Sequence, residues 1–147
     1  MARGDLVVFE EAMAKMLDGD WASTDHLYCA ICDNTATPAA STATPVIGDF
    51  TEVGAVGTYV AGGTDLGTIA DLVTEAAGVV TVDSATNPTW AQNASNDTDA
   101  YWAIVYNYTD AGKDAVFYVD LGGPVDMTAG PLTVTWNLSG MYTITKA

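Results

Sequence analysis

The sequence is poor in positive charge. Only four of its 147 residues are Lys or Arg, against 19 Asp and Glu, which leaves a formal net charge of −15. A nucleic-acid-binding protein needs Lys or Arg at the phosphates it neutralises, and a protein that binds anionic lipid needs a polybasic face. The four cations are scattered along the chain: Arg3, Lys15, Lys113 and Lys146. We therefore expect neither nucleic acid nor a membrane as a partner.

Histidine and cysteine are also scarce, with one His and two Cys in the chain. His26, Cys29 and Cys32 form an H-x2-C-x2-C string, but a structural zinc site takes four such ligands, normally as two spaced pairs. On a strand, positions 29 and 32 would point to opposite faces, and no helix follows as a thioredoxin-type motif requires. Both cysteines are therefore interpreted as buried thiols, with metal binding or redox chemistry as the alternative. No cofactor and no metal are predicted.

The sequence has no long hydrophobic run. None approaches the ~20 residues that cross a bilayer, and Glu10, Glu11 and Lys15 interrupt the apolar stretch near the N-terminus. We predict neither a transmembrane helix nor a signal peptide. Hydrophobic residues nevertheless make up 49% of the chain, which is too many for a disordered acidic tail. The chain is expected to fold as a single domain over residues 1–147.

The spacing of apolar residues changes along the chain. From Leu6 to Leu17 they recur at helical spacing, and Asp5 can cap the first turn, which predicts an N-terminal helix over residues 5–18 that stops at Gly19. From residue 24 the period is two, which predicts a β-rich body over residues 24–147. A long loop over residues 33–49 interrupts this body, because it contains two prolines and no apolar period.

The β-rich body divides into short strands separated by turns. Strands are predicted at 24–32, 58–61, 68–73, 79–83, 101–108, 115–121, 132–137 and 141–145. Their close spacing favours antiparallel pairing, with hairpins joining 101–108 to 115–121 and 132–137 to 141–145. The expected fold is mainly β: an antiparallel β-sandwich or jelly-roll-like domain with one N-terminal α-helix.

Candidates for chemistry are few. Asn93, Asn96, Asp97 and Asp99 carry oxygen ligands of the kind Ca²⁺ prefers, but they lack the spacing of an EF-hand, so a solvated acidic loop is the interpretation and a cation site the alternative. The sequence contains no nucleophile elbow, phosphate loop or zinc-protease motif. A pair of carboxylates could serve glycoside hydrolysis, but the sequence does not place one. No catalytic residue is predicted, and the protein is not expected to be an enzyme.

The aromatic residues suggest either a core or a contact surface. Most are expected to pack between two sheets. Four of them lie in less regular contexts or on the helix, and together with Met13 they form the candidate protein interface: Phe9, Met13, Trp21, Tyr59 and Trp90. The alternative is a carbohydrate- or receptor-binding module that uses Trp21, Tyr59 or Trp90 as a stacking platform.

Six segments in order carry a resemblance to a known family: DLVVFEEAMAKMLDGDW, DNTATPAA, YVAGGTDL, AIVYN, VDLGGPVDMTAG and TVTWNLSGMYTIT. The chain resembles small virion proteins of tailed bacteriophages. The resemblance implies a capsid decoration, or cement, protein on the outer face of the head, with the major capsid protein as partner and a small homo-oligomer as its form. A tail or neck protein is the alternative. The predicted helix and the 33–49 loop are the segments expected to make contact.

Overall fold

The computed structural model describes residues 2–145 and is mainly β. Two short α-helices and a 3-10 turn accompany ten strands in the described residues. In chain order the elements are β1 (Leu6–Val8), α1 (Glu10–Asp18), β2 (His26–Cys32), the 3-10 turn Ile47–Asp49, β3 (Thr64–Thr68), α2 (Ile69–Leu72), β4 (Val73–Ala76), β5 (Val79–Val82), β6 (Thr89–Trp90), β7 (Ala100–Asn107), β8 (Ala115–Val125), β9 (Leu132–Thr133) and β10 (Tyr142–Thr145).

The strands form antiparallel sheets. The central sheet has the order β1-β8-β7-β2-β3, a smaller sheet has the order β10-β5-β4, and β6 pairs with β9. Every strand pair is antiparallel. The predicted mainly β, sandwich-like fold with a helix near the N-terminus is confirmed, including the hairpin of β7 and β8.

The core lies on both faces of the central sheet. On one face, the fully buried Phe117 of β8 packs edge-on against Trp136 and against Tyr142 of β10, with ring centroids 6.0 and 5.9 Å away. On the other, its neighbour Tyr118 packs against Phe9 at 5.1 Å. Because neither face is open, β2, β7 and β8 read as nearly continuous apolar runs rather than as alternating strands.

The N-terminal helix is shorter than predicted. Residues 5–18 were expected to be helical, but Leu6–Val8 form the edge strand β1, and the helix occupies only Glu10–Asp18. Pairing with β8 overrides helical spacing here, because Leu-Val-Val also suits a strand. Asp5 does not cap the helix; its carboxylate accepts a hydrogen bond from the backbone of Ala2. Gly19, in the left-handed conformation, ends the helix as predicted.

Two strand predictions and one hairpin prediction fail. Residues 58–61 form no strand, and residues 68–73 contain the turn of α2, which Thr68 and Asp71 cap reciprocally. The predicted hairpin of residues 132–137 with 141–145 is absent, because β10 pairs with β5 and β9 pairs with β6. Residues 33–46 contain no helix and no strand, and the short 3-10 turn Ile47–Asp49 follows them.

Candidate interaction surface

Four of the five predicted interface residues lie in the core. Phe9 is completely buried, and Tyr59, Trp90 and Trp21 are 3%, 4% and 9% exposed. The interface prediction is therefore wrong for these four residues in the folded chain. Aromatic side chains in irregular segments are anchored to the sheets rather than presented to a partner, because each ring buries a large apolar area. Met13, which is 43% exposed, remains a candidate.

The buried four divide into separate clusters. Phe9 packs between Tyr118 and Phe50, while the indole N–H of Trp21 donates to the Asp114 carboxylate at 3.1 Å.

Only Tyr59 and Trp90 meet, with ring centroids 5.9 Å apart, and the Tyr59 hydroxyl donates to Glu52 at 2.7 Å. Burial raises the pKa of Tyr59 far above its ordinary range, and the hydrogen bond to Glu52 adds to this. Because Trp21, Tyr59 and Trp90 offer no open ring face, they cannot serve as carbohydrate platforms as they stand in this structure.

The H-x2-C-x2-C string does not converge on one point. Cys29 and Cys32 are free thiols with no exposed surface, on opposite faces of β2. Burial raises the pKa of both thiols well above its ordinary range, which keeps them neutral. His26 lies at the other end of the strand, with Nδ1 3.0 Å from the Asp65 carboxylate. The buried-thiol interpretation agrees with this placement.

In the segment with Asn93, Asn96, Asp97 and Asp99, two residues hold neighbouring loops together, while Asp99 is exposed. Asn96 is only 6% exposed: its amide donates to the carbonyls of Ala91 and Met127, and its oxygen accepts from the Thr58 backbone at 2.8 Å. Asp97 accepts from the Gly54 backbone at 3.0 Å. Between residues 2 and 145, no group of three His, Cys, Asp or Glu side chains is arranged to hold a metal ion.

Tyr108 is the most exposed aromatic residue among those described. Its ring stacks on Tyr28 with centroids 4.1 Å apart, and the Lys113 ammonium lies 4.0 Å from its centroid. Two groups this close cannot share one face of the ring, so both faces are covered. Tyr108 therefore offers an edge rather than a stacking platform.

Exposed apolar residues lie on α1 and on the small sheet, two elements that touch each other at Met16 and Tyr142. On α1, Met13 and Leu17 are one helical turn apart, and Leu17 is 86% exposed. On the small sheet, Val73 and Ile144 are exposed and Val80 is half-buried, and the strand register places all three on one face together with Glu75. We call Met13, Leu17, Val73, Val80 and Ile144 the helix–sheet surface.

Strand register explains why one face of the small sheet is apolar. Tyr142 and Ile144 pair with Val82 and Val80 of β5, and β5 in turn pairs with β4. Side chains therefore alternate between a face that bears mainly Val, Ile and Tyr and a face that bears mainly Thr. The inner end of the apolar face, at Val82, is buried, whereas Ile144 at its outer end is 46% exposed.

The helix and the small sheet meet at Met16. The Tyr142 hydroxyl lies 3.4 Å from the Met16 sulfur, which brings the apolar face of β10 next to the exposed stripe of α1. Burial raises the pKa of Tyr142 to about 12. The sequence itself shows the helical spacing of Met13 and Leu17. It also shows the period of two in β5 and β10. The sequence does not show which of these faces stays exposed, because that depends on how the elements pack.

The margin of this surface is acidic. Exposed carboxylates flank it at Glu10, Asp18 and Asp20 around the helix and at Glu75 on β4. Lys15, the cation of the helix, is bound to Asp114 at 2.6 Å, and this hydrogen-bonded carboxylate raises the pKa of Lys15. The surface is thus apolar with a negative rim.

Comparison with known proteins adds no relative: no protein-family model, curated protein or solved structure matches the chain. Within residues 2–145, no helix is long and apolar enough to cross a membrane.

Proposed function

We propose that the protein is a virion structural protein of a tailed bacteriophage, bound as a decoration protein to the outer face of the capsid. Its role is to stabilise contacts between capsomers and not to catalyse a reaction. Each copy would bury a modest apolar area against the shell, and the total stabilisation grows with the number of copies bound. The resemblance to small phage virion proteins supports this function.

The distribution of charge carries the proposal. The formal charge is −15, and of the 19 acidic residues ten are exposed, seven are half-buried and only Asp25 and Asp114 are buried. The negative charge therefore lies mainly at the surface. Packaged DNA repels such a surface, which makes the exterior of a DNA-filled head the favourable side. An acidic β-rich domain with an open apolar surface suits a component that docks on a protein shell.

Copy number tests the proposal. Quantitative mass spectrometry of purified particles of the phage that encodes the chain should find hundreds of copies, as icosahedral symmetry implies. Cryo-electron microscopy of the same particles should place them on the outer shell. A count of roughly six to twelve would indicate a tail or neck protein, as axial symmetry implies. That count, or absence from the particles, would overturn the decoration function.

A further inference from the structure

We propose that the helix–sheet surface is the docking site for a segment of the shell protein that combines apolar side chains with Lys or Arg. This inference rests on the proposed function, because it names the partner's chemistry at the capsid. Of the five interface residues predicted from sequence, only Met13 belongs to the helix–sheet surface.

The apolar side chains supply the driving force. Leu17 is 86% exposed, and Ile144, Met13 and Val73 are between 40% and 46% exposed. A Leu, Ile, Met or Val side chain gains roughly 1.5–3 kcal/mol when it passes from full exposure to full burial. Exposed apolar side chains grouped on two elements that touch, as α1 and β10 do at Met16 and Tyr142, mark an interaction site more strongly than scattered ones do.

The acidic rim selects the partner's charge. Glu10 and Asp18 lie beside Met13 and Leu17 on the helix, and Glu75 lies opposite Val80 on the edge strand of the small sheet. The ammonium of Lys15 is already bound to Asp114. A segment docked here therefore faces carboxylates, and the helix has no free cation to neutralise them. Lys or Arg at the ends of that segment would complement them, which favours fast association and one orientation more than it adds affinity. An acidic segment would be repelled.

The same charges disfavour a second copy of the chain as the occupant. Two copies that met through this surface would bring the rim carboxylates of both together, each molecule carrying a net charge of −15. Like charges at an interface oppose association unless a counter-charge lies between them. The helix–sheet surface offers none.

Two charge-neutral variants test the site. Leu17→Ser and Ile144→Thr remove apolar area from the helix–sheet surface and leave the net charge unchanged. The matched controls Leu138→Ser and Val60→Thr remove similar area from residues that are also exposed but lie outside it. Thermal unfolding of all four variants establishes that each one folds.

The first probe is a synthetic ten-residue peptide in which Val alternates with Lys, compared with one in which Val alternates with Glu. Titration followed by heteronuclear NMR should show shifts at the helix–sheet surface with the Lys peptide and none with the Glu peptide. Each surface variant should weaken binding by about tenfold, and the controls by less than about twofold. Equal binding by wild type and surface variants, or shifts elsewhere on the protein, would overturn the inference.

The second probe is a preparation of purified heads that lack this protein. If wild type binds the heads and Leu17→Ser does not, both proposals are supported. If both bind equally, the docking site is wrong while the decoration function stands. If wild type does not bind, the decoration function fails, and the peptide titration still decides whether the surface accepts a basic apolar segment. Sedimentation that finds a wild-type dimer and a monomeric Ile144→Thr would identify the site as a contact between copies and overturn the proposed occupant.

Discussion

Asn96 joins two loops that make no regular structure with each other. Its side chain reaches the backbone of Thr58 on one side and the carbonyls of Ala91 and Met127 on the other. Because the amide is buried, each of these hydrogen bonds replaces one that water would otherwise supply. The neighbouring Gly57 has φ of +65°, and a Cβ placed there would lie 2.2 Å from the Asn96 oxygen. This close approach explains why glycine is required at this position.

Gly57→Ala should destabilise the protein more than Gly19→Ala does. Both glycines have positive φ, but a Cβ at Gly19 meets nothing within 4 Å. Gly19→Ala should cost about 1–2 kcal/mol from backbone strain alone. Gly57→Ala should add about 1–3 kcal/mol because it displaces the Asn96 side chain. Urea unfolding of the two variants measures the difference, and equal losses of stability would contradict the role given to Asn96.

Tyr142 should make the protein sensitive to alkali. Burial raises its pKa to about 12, whereas an unfolded tyrosine ionises near pH 10. The unfolded state therefore loses its proton first. The contribution of this group is fully present below about pH 10 and is lost as the pH rises through 12.

The variant Tyr142→Phe should accordingly lose less stability than wild type between about pH 10 and pH 12. Chemical unfolding at a series of pH values provides the measurement. Leu138→Ser is the control, since it changes a fully exposed side chain that does not ionise and should follow the wild-type profile. Parallel profiles for wild type and Tyr142→Phe would refute the explanation.

The helix α1 is held by a contact from Asp114, the residue before β8. Asp114 is buried and binds both the Lys15 ammonium at 2.6 Å and the Trp21 indole at 3.1 Å. One carboxylate thus ties α1 and the segment that follows it to the central sheet. The helix alone has nine residues, which is too short for stability in isolation, so its formation depends on tertiary contacts of this kind.

Asp114→Ala should therefore destabilise the fold by about 1–3 kcal/mol, because it leaves the buried Trp21 N–H without an acceptor. Asp18→Ala is the matched control: it changes the net charge equally, but it removes an exposed carboxylate from the last turn of the helix. We expect little change or a slight gain from the control, since negative charge is unfavourable there. Differential scanning calorimetry compares the two, and similar melting temperatures would argue against this role of Asp114.

Strand prediction succeeded or failed according to how far apart the partners lie. The hairpin of β7 and β8 joins neighbouring runs across a short turn, so local pattern was enough to identify it. The apolar alternation of β10 also predicted a strand. Its partner β5 lies about sixty residues earlier in the chain, and sequence spacing does not predict pairing over that distance. The sequence of β1 is compatible with both helix and strand. It forms a strand because it can pair with the free edge of β8.

The uneven charge of the chain should make its stability depend on salt. With a net charge of −15, mutual repulsion among exposed carboxylates opposes the compact state. Raising NaCl from about 10 mM to about 150 mM shortens the Debye length from roughly 30 Å to roughly 8 Å. The melting temperature should rise over this range, and KCl should act as NaCl does if screening is the cause. A flat or falling melting temperature would contradict the prediction.

Composition and local pattern were sufficient for the class of fold, the positions of β2, β5, β7, β8 and β10, the end of α1 at Gly19 and the buried state of Cys29 and Cys32. These properties depend on residues close together in the chain. Tertiary packing decided which apolar side chains would be covered. It buried Phe9, Trp21, Tyr59 and Trp90, which the sequence had suggested for contact, and left Leu17 and Ile144 open. The reason is that a side chain is buried only when another element packs over the face on which it lies. In this fold, that element comes from a distant part of the chain, so local sequence does not show it.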